Sequence, residues 1–311
     1  MEVKNWSYEE FPPFDRVPEG AQVIETTGEE TGVRCLRDVE YARIGGTPLH
    51  LQILIPVSRK SSYVPFAPEQ PFRLPCFVFV QGSAWFQQDV YAQTAQLAKL
   101  ALRGYVCAIV EYRHSGLAAF PAQARDARNA VRFLRQNAKR FGVDPDRMIL
   151  AGDSSGGHTA MWGGMLRDDG TADNLFPGVS AEVRGIVDYY GSTSVIAPDS
   201  NPCTVNHCLP DSPEGRVMGG QNLLEHPELA RRLSVECNID GNTPLPPVLI
   251  FHGTKDRIVN CEGSAILYER LKETGHPASL WLIRGADHGG PEFWTDQVIG
   301  IVDRFCRDCF A

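Results

Sequence analysis

Six short apolar runs, separated by longer amphipathic segments, restrict the fold of this chain more than any other feature. The runs cover residues 76–80, 106–110, 148–151, 183–188, 247–251 and 279–283. Strands that are apolar on both sides are typical of a parallel sheet with helices on both faces. The clearest helix is predicted to begin near Pro121 and to end around Phe141 and Gly142, because apolar residues recur there at helical spacing. The pattern therefore predicts an α/β fold with a mostly parallel, twisted sheet.

Two segments break this alternation. Residues 36–44 and 49–55 are two predicted strands around Gly45-Gly46, which indicates a hairpin and an antiparallel N-terminal edge of the sheet. Residues 192–246 are rich in Pro, Gly, Asn and Asp and contain one helical stretch near residues 227–233. We interpret this second segment as an inserted lid over the substrate site.

The composition is that of a soluble protein of enzyme size, with 43% hydrophobic and 22% charged residues in a chain of 311. We expect a single domain over residues 1–311, with residues 1–35 as an N-terminal arm. A net charge of -8 and scattered Lys and Arg residues argue against nucleic acid or membrane partners and favour a small neutral substrate. No run of 18 apolar residues and no secretory signal is visible, so a chain that starts naturally here is expected to be cytoplasmic.

The cysteines do not indicate a disulfide framework. There are nine of them, an odd number, and Cys76 and Cys107 lie inside apolar runs where a thiol behaves as a small hydrophobe. Two groups could supply zinc ligands: Cys203 and Cys208 with His207 between them, and the pair Cys306 and Cys309. They are far apart in sequence and one ends the chain, so we predict neither a metal nor any other cofactor.

A nucleophile motif follows the third apolar run. Gly152-Asp153-Ser154-Ser155-Gly156 has the pattern Gly-x-Ser-x-Gly and lies between an apolar strand and a small-residue helix. Such an elbow places the serine hydroxyl on a strained turn above the sheet, and its glycines allow strand and helix to approach closely. A hydroxyl needs a base to act as a nucleophile at neutral pH, so Ser154 predicts a histidine partner elsewhere in the chain.

The partners are predicted from chain order and from position at strand ends. Asp256 follows the run at 247–251, and His288 follows the run at 279–283, which gives the order Ser, acid, His. Both loops should meet Ser154 at the carboxyl edge of the sheet. We predict His288 as general base and Asp256 as the residue that orients it. The rival acids are Asp287, Asp188 and Asp199.

An oxyanion hole needs backbone N–H groups from two loops. Ser155 is predicted to supply one, and Ser83 or Ala84, in the loop after residues 76–80, the other. Gln81, Trp85 and Phe86 in the same loop are predicted to contact the substrate under a roof that the lid forms with His207, Leu209 and Pro210. His158, one helical turn after Ser154, is interpreted as a structural hydrogen-bonding residue.

These residues closely resemble the bacterial feruloyl and acetyl-xylan esterase-like branch of the α/β-hydrolases, which neighbours the hormone-sensitive lipase group. The resemblance extends from about residue 36 to the C-terminus and includes QGSAW at 81–85, EYR at 111–113, GDSSGGH at 152–158, DSPEGRVMGG at 211–220, HGTKDRIV at 252–259 and GADHGGPEFW at 285–294. It implies an α/β-hydrolase fold. The family usually has His-Gly-Gly where this chain has Gln81-Gly82-Ser83, so Ser83 brings a Cβ and a hydroxyl to the oxyanion loop.

The residues and the resemblance together predict a serine esterase that acts through an acyl-enzyme. The implied substrates are short-chain or hydroxycinnamoyl esters, such as acetyl or feruloyl esters of sugars or plant phenolics. Two alternatives stay open at this point. One is a serine peptidase of the acylaminopeptidase kind, and the other is a non-catalytic ligand receptor on the same fold, which would be expected to have lost a triad member.

Overall fold

The computed structural model describes residues 4, 6–7, 9–58, 69–167, 172–196 and 204–311. These residues form two compact units, Met1–Glu30 and Thr31–Ala311. In the first unit the described residues are almost all exposed and form neither helix nor strand. Every helix and strand of the described ranges belongs to the second unit.

Eight strands of the second unit form one sheet. They are β1 (Thr31–Ile44), β2 (Thr47–Ser58), β3 (Leu74–Val80), β4 (Val106–Val110), β5 (Val143–Asp153), β6 (Gly185–Tyr189), β7 (Val248–Gly253) and β8 (Ala278–Ile283), in the spatial order β1-β2-β4-β3-β5-β6-β7-β8. β2 is antiparallel to both of its neighbours, and the pairs from β4 to β8 are parallel. The predicted parallel sheet with an antiparallel N-terminal edge is confirmed.

The helices cover both faces of the sheet. They are α1 (Thr94–Ala101), α2 (Ala122–Gln136), α3 (Ala138–Phe141), α4 (Ser155–Met165), α5 (Pro213–Val217), α6 (Pro227–Leu233), α7 (Cys261–Glu273) and α8 (Asp296–Phe310). Alternate strand residues point to opposite faces. Val78 and Val80 of β3 therefore join one core with α2, α4 and α7, while Phe77 and Phe79 join the other core with α1 and α8.

The predicted helix from Pro121 to Gly142 is interrupted in the structure. α2 ends at Gln136, and α3 starts again at Ala138 after Asn137, whose side-chain amide donates to the Phe133 carbonyl at 2.8 Å. Gly142 ends α3 in a left-handed conformation with φ 69°. The ring of Phe72 occupies the space a Cβ would need there, so glycine is required on two grounds.

The segment predicted to be a lid packs on the main core. Its described parts, residues 192–196 and 204–246, contain α5, α6 and a short 3₁₀ turn at Glu236–Asn238. Leu233, Val235 and Ile239 are buried in the same core as α4. The lid function itself stays a prediction. No helix of the described residues is long and apolar enough to cross a bilayer.

Candidate active site

The nucleophile motif forms a sharp turn between β5 and α4. Ser154 stands between them with φ 53° and ψ -125°. A Cβ on Gly156 would lie 2.0 Å from the Val80 carbonyl oxygen, and one on Gly152 would lie 2.2 Å from that of Gly156. Both glycines are thus required for the strand and the helix to meet at this angle.

Three predicted residues from distant parts of the chain form one hydrogen-bonded series. Ser154 Oγ lies 2.9 Å from His288 Nε2, and His288 Nδ1 lies 2.7 Å from Asp256 Oδ2. A carboxylate only accepts hydrogen bonds, so Nδ1 carries the proton and Nε2 is left as an acceptor for the serine hydroxyl. The sheet brings them together because Ser154 follows β5, Asp256 follows β7 and His288 follows β8.

The surroundings of Asp256 keep it ionised. Its side chain is fully buried, and burial by itself disfavours the charge, but hydrogen bonds from His252 and His288 hold the pKa of Asp256 well below its usual value. The N–H groups of Ile258 and Val259 donate to its other oxygen at 2.9 and 2.8 Å. The acid therefore presents a fixed negative charge to His288.

A second histidine contacts the same carboxylate, and sequence reasoning missed it. His252, at the end of β7 and with no exposed surface, has Nε2 3.2 Å from Asp256 Oδ2 and 3.0 Å from the Val259 carbonyl. Its Nδ1 lies 2.7 Å from the Ser264 hydroxyl, which donates to it. The signal in the sequence was a histidine on the same strand end, four residues before the acid.

The rival acids lie elsewhere. Asp287 is partly exposed and pairs with the guanidinium of Arg257, whose Nε lies 2.7 Å from Asp287 Oδ2. Asp188 is buried at the end of β6, where its carboxyl borders Gly157 and Gly191. Asp199 lies outside the described residues. Among the described acids, only Asp256 contacts the imidazole of His288.

The oxyanion loop is held by the elbow itself. The Gly82 N–H donates to Asp153 Oδ1 at 2.6 Å, and the Ser83 N–H donates to Ser155 Oγ at 3.0 Å. Burial raises the pKa of Asp153 to about 6, against the hydrogen bond from Gly82. The predicted donor Ser83 is therefore already engaged inside the protein. Ala84 and Ser155 have no acceptor for their N–H groups among the described residues.

The hydroxyl of Ser83 has a structural use. Its Oγ–H donates to the Phe86 carbonyl at 2.6 Å, and the Tyr112 hydroxyl lies 2.9 Å away. Tyr112 also reaches Ser155 Oγ at 3.3 Å. The serine that replaces the usual glycine thus joins a hydroxyl network that fixes the oxyanion loop against α4.

The aromatic residues of the loop do not occupy their predicted places. Trp85 is 1% exposed and packs edge-on against His158, with 5.0 Å between ring centroids. Ala84 and Trp85 both have positive φ, 55° and 56°, and this turn takes the indole into the core. Phe86 is 38% exposed and faces the guanidinium of Arg216. Neither ring borders the cleft above Ser154, whereas Gln81 does.

His158 lies in the core beside this loop. Burial lowers its pKa to about 4, so the imidazole is neutral, and its Nε2 lies 2.9 Å from the Leu233 carbonyl. The hydrogen bond predicted for His158 is thus present, and it attaches α4 to the C-terminal end of α6.

The cleft above Ser154 has a volume of about 540 Å³. Its walls come from the oxyanion loop, the start of α1, the elbow and the loop after β8, and they consist of Gln81, Gly82, Ser83, Ala84, Gln93, Gln96, Asp153, Ser154, Tyr190, Ile258, His288, Gly289, Gly290, Pro291 and Trp294. Sequence reasoning missed Gln93, Gln96 and Asp153. Nothing in the local pattern around Gln93 and Gln96 indicates that the first turn of α1 faces Ser154.

The predicted roof residues reach the cleft only indirectly. His207 Nε2 lies 2.7 Å from the carbonyl of Ile258, a cleft residue, and its Nδ1 lies 2.9 Å from Glu214 Oε1. Leu209 is exposed, and Pro210 follows it on the surface. None of the three predicted roof residues borders the cleft.

The two cysteine groups considered as zinc ligands lie in different parts of the chain. Cys203 lies outside the described residues, and Cys208 is partly buried beside His207. Cys306 and Cys309 lie on α8, where burial raises the pKa of the Cys309 thiol to about 11. In the described ranges, no group of three or more His, Cys, Asp and Glu side chains could hold a metal ion.

Known proteins are similar to this chain in sequence and in fold. The esterase LipC of Mycobacterium tuberculosis is 29% identical over 69% of this chain and 53% of LipC. The chain spans about half the length of the curated relatives it matches. A truncated carbohydrate esterase from gut microbiota has a TM-score of 0.74 at 23% identity, over 91% of this chain and 98% of that one.

A second solved structure has the same architecture. Propionate-bound esterase 2 of Thermogutta terrifontis has a TM-score of 0.66 at 23% identity, over 91% of this chain and 94% of that chain. These likenesses confirm the predicted α/β-hydrolase fold. The sequence profile of BD-FAE matches residues 62–271, about two-thirds of the chain, and the chain therefore belongs to the BD-FAE family.

Proposed function

We propose that this protein is a serine carboxylic-ester hydrolase that acts through an acyl-enzyme. The observation that carries the proposal is the uninterrupted series from Ser154 Oγ through His288 to Asp256, with contacts of 2.9 and 2.7 Å. Ser154 attacks the ester carbonyl while His288 Nε2 takes its proton, and Asp256 stabilises the imidazolium that forms. The names of LipC and of the gut carbohydrate esterase support an esterase activity.

The developing oxyanion is assigned to two backbone donors. The N–H of Ser155 opens α4, where it has no partner within the helix, and the helix N-terminus favours negative charge. The N–H of Ala84 is the matching donor in the loop after β3. Such donors stabilise the tetrahedral intermediate more than the ground state, which is the condition for rate acceleration.

Turnover needs only water and the same residues. His288 returns the proton to the leaving alcohol, then deprotonates a water that attacks the acyl-Ser154 carbonyl, and finally protonates Ser154 Oγ as the acyl-enzyme bond breaks. Each half-reaction begins and ends with the same protonation states. The mechanism therefore calls for no cofactor.

The proposed substrates are acetyl or hydroxycinnamoyl esters of sugars or plant phenolics. Membership of a family of bifunctional feruloyl and acetyl-xylan esterases supports this class. Ile258, Pro291 and Trp294 supply apolar surface in a cleft of about 540 Å³. A flat ring or a short acyl chain fits such a space, whereas a long flexible chain loses rotamer entropy on entering it.

The test uses p-nitrophenyl esters of acetic, ferulic and dodecanoic acids. We expect an initial burst of nitrophenol, and a kcat/KM for the two preferred acyl groups at least about tenfold above that of the dodecanoyl ester. Ser154→Ala should lower kcat by at least about 10³ with an unchanged circular dichroism spectrum, because the nucleophile is lost.

Other outcomes would overturn the proposal. Cleavage of peptide p-nitroanilides in preference to the esters indicates a peptidase. Absence of turnover on every ester indicates a receptor. If Ser154→Ala keeps more than about a tenth of the wild-type rate, Ser154 is not the nucleophile.

A further inference from the structure

Three glutamine side chains border the cleft and have buried oxygens without a protein donor. They are Gln81, Gln93 and Gln96, and in each the buried Oε1 accepts no hydrogen bond from the described residues. Gln81 is 7% exposed, so its amide is almost wholly removed from the surface. We call these three residues the glutamine wall.

The amide nitrogens explain how two of these side chains are fixed. Gln81 Nε2 donates to the Gly82 carbonyl, and Gln93 Nε2 donates to Asp153 Oδ2 at 3.2 Å. Gln96, in the first turn of α1, makes no side-chain hydrogen bond to the described residues. Two amides are thus anchored through nitrogen, while their buried oxygens have no donor among the described residues.

The glutamine wall shares its cleft with the loop that carries His288. Lys99 Nζ donates to the Trp294 carbonyl at 2.7 Å, which attaches α1 to the segment that follows His288. Gly289, Gly290 and Pro291 of that segment border the same cleft. Since His288 returns its proton to the leaving oxygen, groups next to its loop lie beside the alcohol half of the ester.

The unpaired amide oxygens of the glutamine wall favour some classes of ligand over others. A buried acceptor without a donor is unfavourable, so a partner that brings several donors is favoured over an apolar alcohol. No Lys or Arg is among the residues that border this cleft, which disfavours a phosphorylated ligand. Vicinal hydroxyls both donate and accept hydrogen bonds and suit a row of neutral amides.

We propose that the glutamine wall is a subsite for the hydroxyl groups of a sugar, the alcohol component of the ester. The subsite rests on the proposed function, because it orients the sugar while Ser154 attacks the acyl carbonyl. Gln96 is the residue to change, since it has no hydrogen bond to Asp153 or to the oxyanion loop that its loss would disturb.

The test compares two acetate esters, mono-acetylated methyl β-xyloside and cyclohexyl acetate, which lacks hydroxyls. We expect Gln96→Met to lower the ratio of kcat/KM for the xyloside ester to that for cyclohexyl acetate by about three- to tenfold, the effect of one lost hydrogen bond. The inhibition constant of free methyl β-xyloside should rise by a similar factor. Gln96→Glu keeps an acceptor and should retain at least the wild-type ratio.

Gln297→Met is the matched control, because Gln297 is an exposed glutamine in the first turn of α8. It should leave the ratio unchanged. If the wild-type protein cleaves both acetates and Gln96→Met has the wild-type ratio, the subsite is wrong while the proposed function stands. A fall in the ratio of Gln96→Glu equal to that of Gln96→Met also overturns the subsite, because the acceptor then does not matter. If the wild-type protein cleaves no ester at all, the proposed function fails first.

Discussion

Two aspartates next to His288 differ in what they contact. The side chain of Asp256 is fully buried and meets the imidazole at Nδ1, whereas Asp287 Oδ1 accepts the backbone N–H groups of His288 and Arg257. Loss of the Asp256 charge changes the imidazole tautomer, which the reaction depends on. Loss of the Asp287 charge weakens an ion pair with an exposed arginine, which contributes little.

We therefore expect Asp256→Asn to lower kcat by up to about 10⁴ and Asp287→Asn to lower it less than about tenfold. Both variants are measured with p-nitrophenyl acetate, and their unfolding midpoints serve as the folding control. A larger loss in Asp287→Asn than in Asp256→Asn would reverse the assignment of the acid.

At the level of single residues, the sequence predicts the positions of residues that lie in loops directly after parallel strands. Ser154, Asp256 and His288 belong to this group, because parallel strands deliver their following loops to one edge. Trp85 does not, since its direction depends on two positive φ angles that no local pattern indicates. Gln93 and Gln96 were missed because only the packing of α1 brings them to the cleft.

At the level of elements, the elbow depends on backbone contact between β3 and α4. A methyl group on Gly156 would lie 2.0 Å from the Val80 carbonyl, while one on Gly300 of α8 meets only the Arg304 side chain at 3.8 Å. Gly156→Ala should therefore destabilise the fold by at least about 2 kcal/mol. It should also reduce activity, because α4 and the Ser155 N–H must move.

Gly300→Ala is the matched control and should stabilise the fold by about 0.5–1 kcal/mol, the usual gain for alanine over glycine within a helix. Urea unfolding measures both variants. Equal stability changes in the two would mean that the elbow tolerates a methyl group and that its close contact is not required.

Elements with strong local signals were predicted well. The strand at 106–110 and the helix at 227–233 have the predicted bounds, because an apolar run and a Pro at the helix start mark their limits. The break at Asn137 was not predicted, since Asn137 competes with the helix through its own side chain. Helix α1 was missed because its apolar face is short.

At the level of the whole molecule, the fold buries carboxyl groups on both a helix and a strand, Asp126 on α2 and Asp188 on β6. Burial raises the pKa of Asp126 to about 6, partly offset by hydrogen bonds from Arg113, and raises that of Asp188 to about 7. The sequence predicted the sheet but not the burial of these carboxyl groups. Burial at a strand end depends on whether the strand is central in the sheet, and the spatial order of the strands decides that. Asp188 lies at the end of β6, between β5 and β7.

The raised pKa of Asp188 makes stability depend on pH in a definite direction. Between its ordinary value near 4 and about 7, the folded protein holds a proton that the unfolded chain releases. Its contribution to stability is therefore fully present at low pH and is lost as the pH rises through about 7.

Asp188→Asn is neutral at every pH and should remove this loss. Relative to the wild-type protein, we expect the variant to gain at least about 1.4 kcal/mol between pH 5.5 and pH 8.5 in urea unfolding. Any constant packing cost of the amide cancels in that difference, and Asp308→Asn, at an exposed position on α8, is the control. An equal difference between variant and wild type at the two pH values would show that Asp188 ionises in the folded protein as freely as in the unfolded chain.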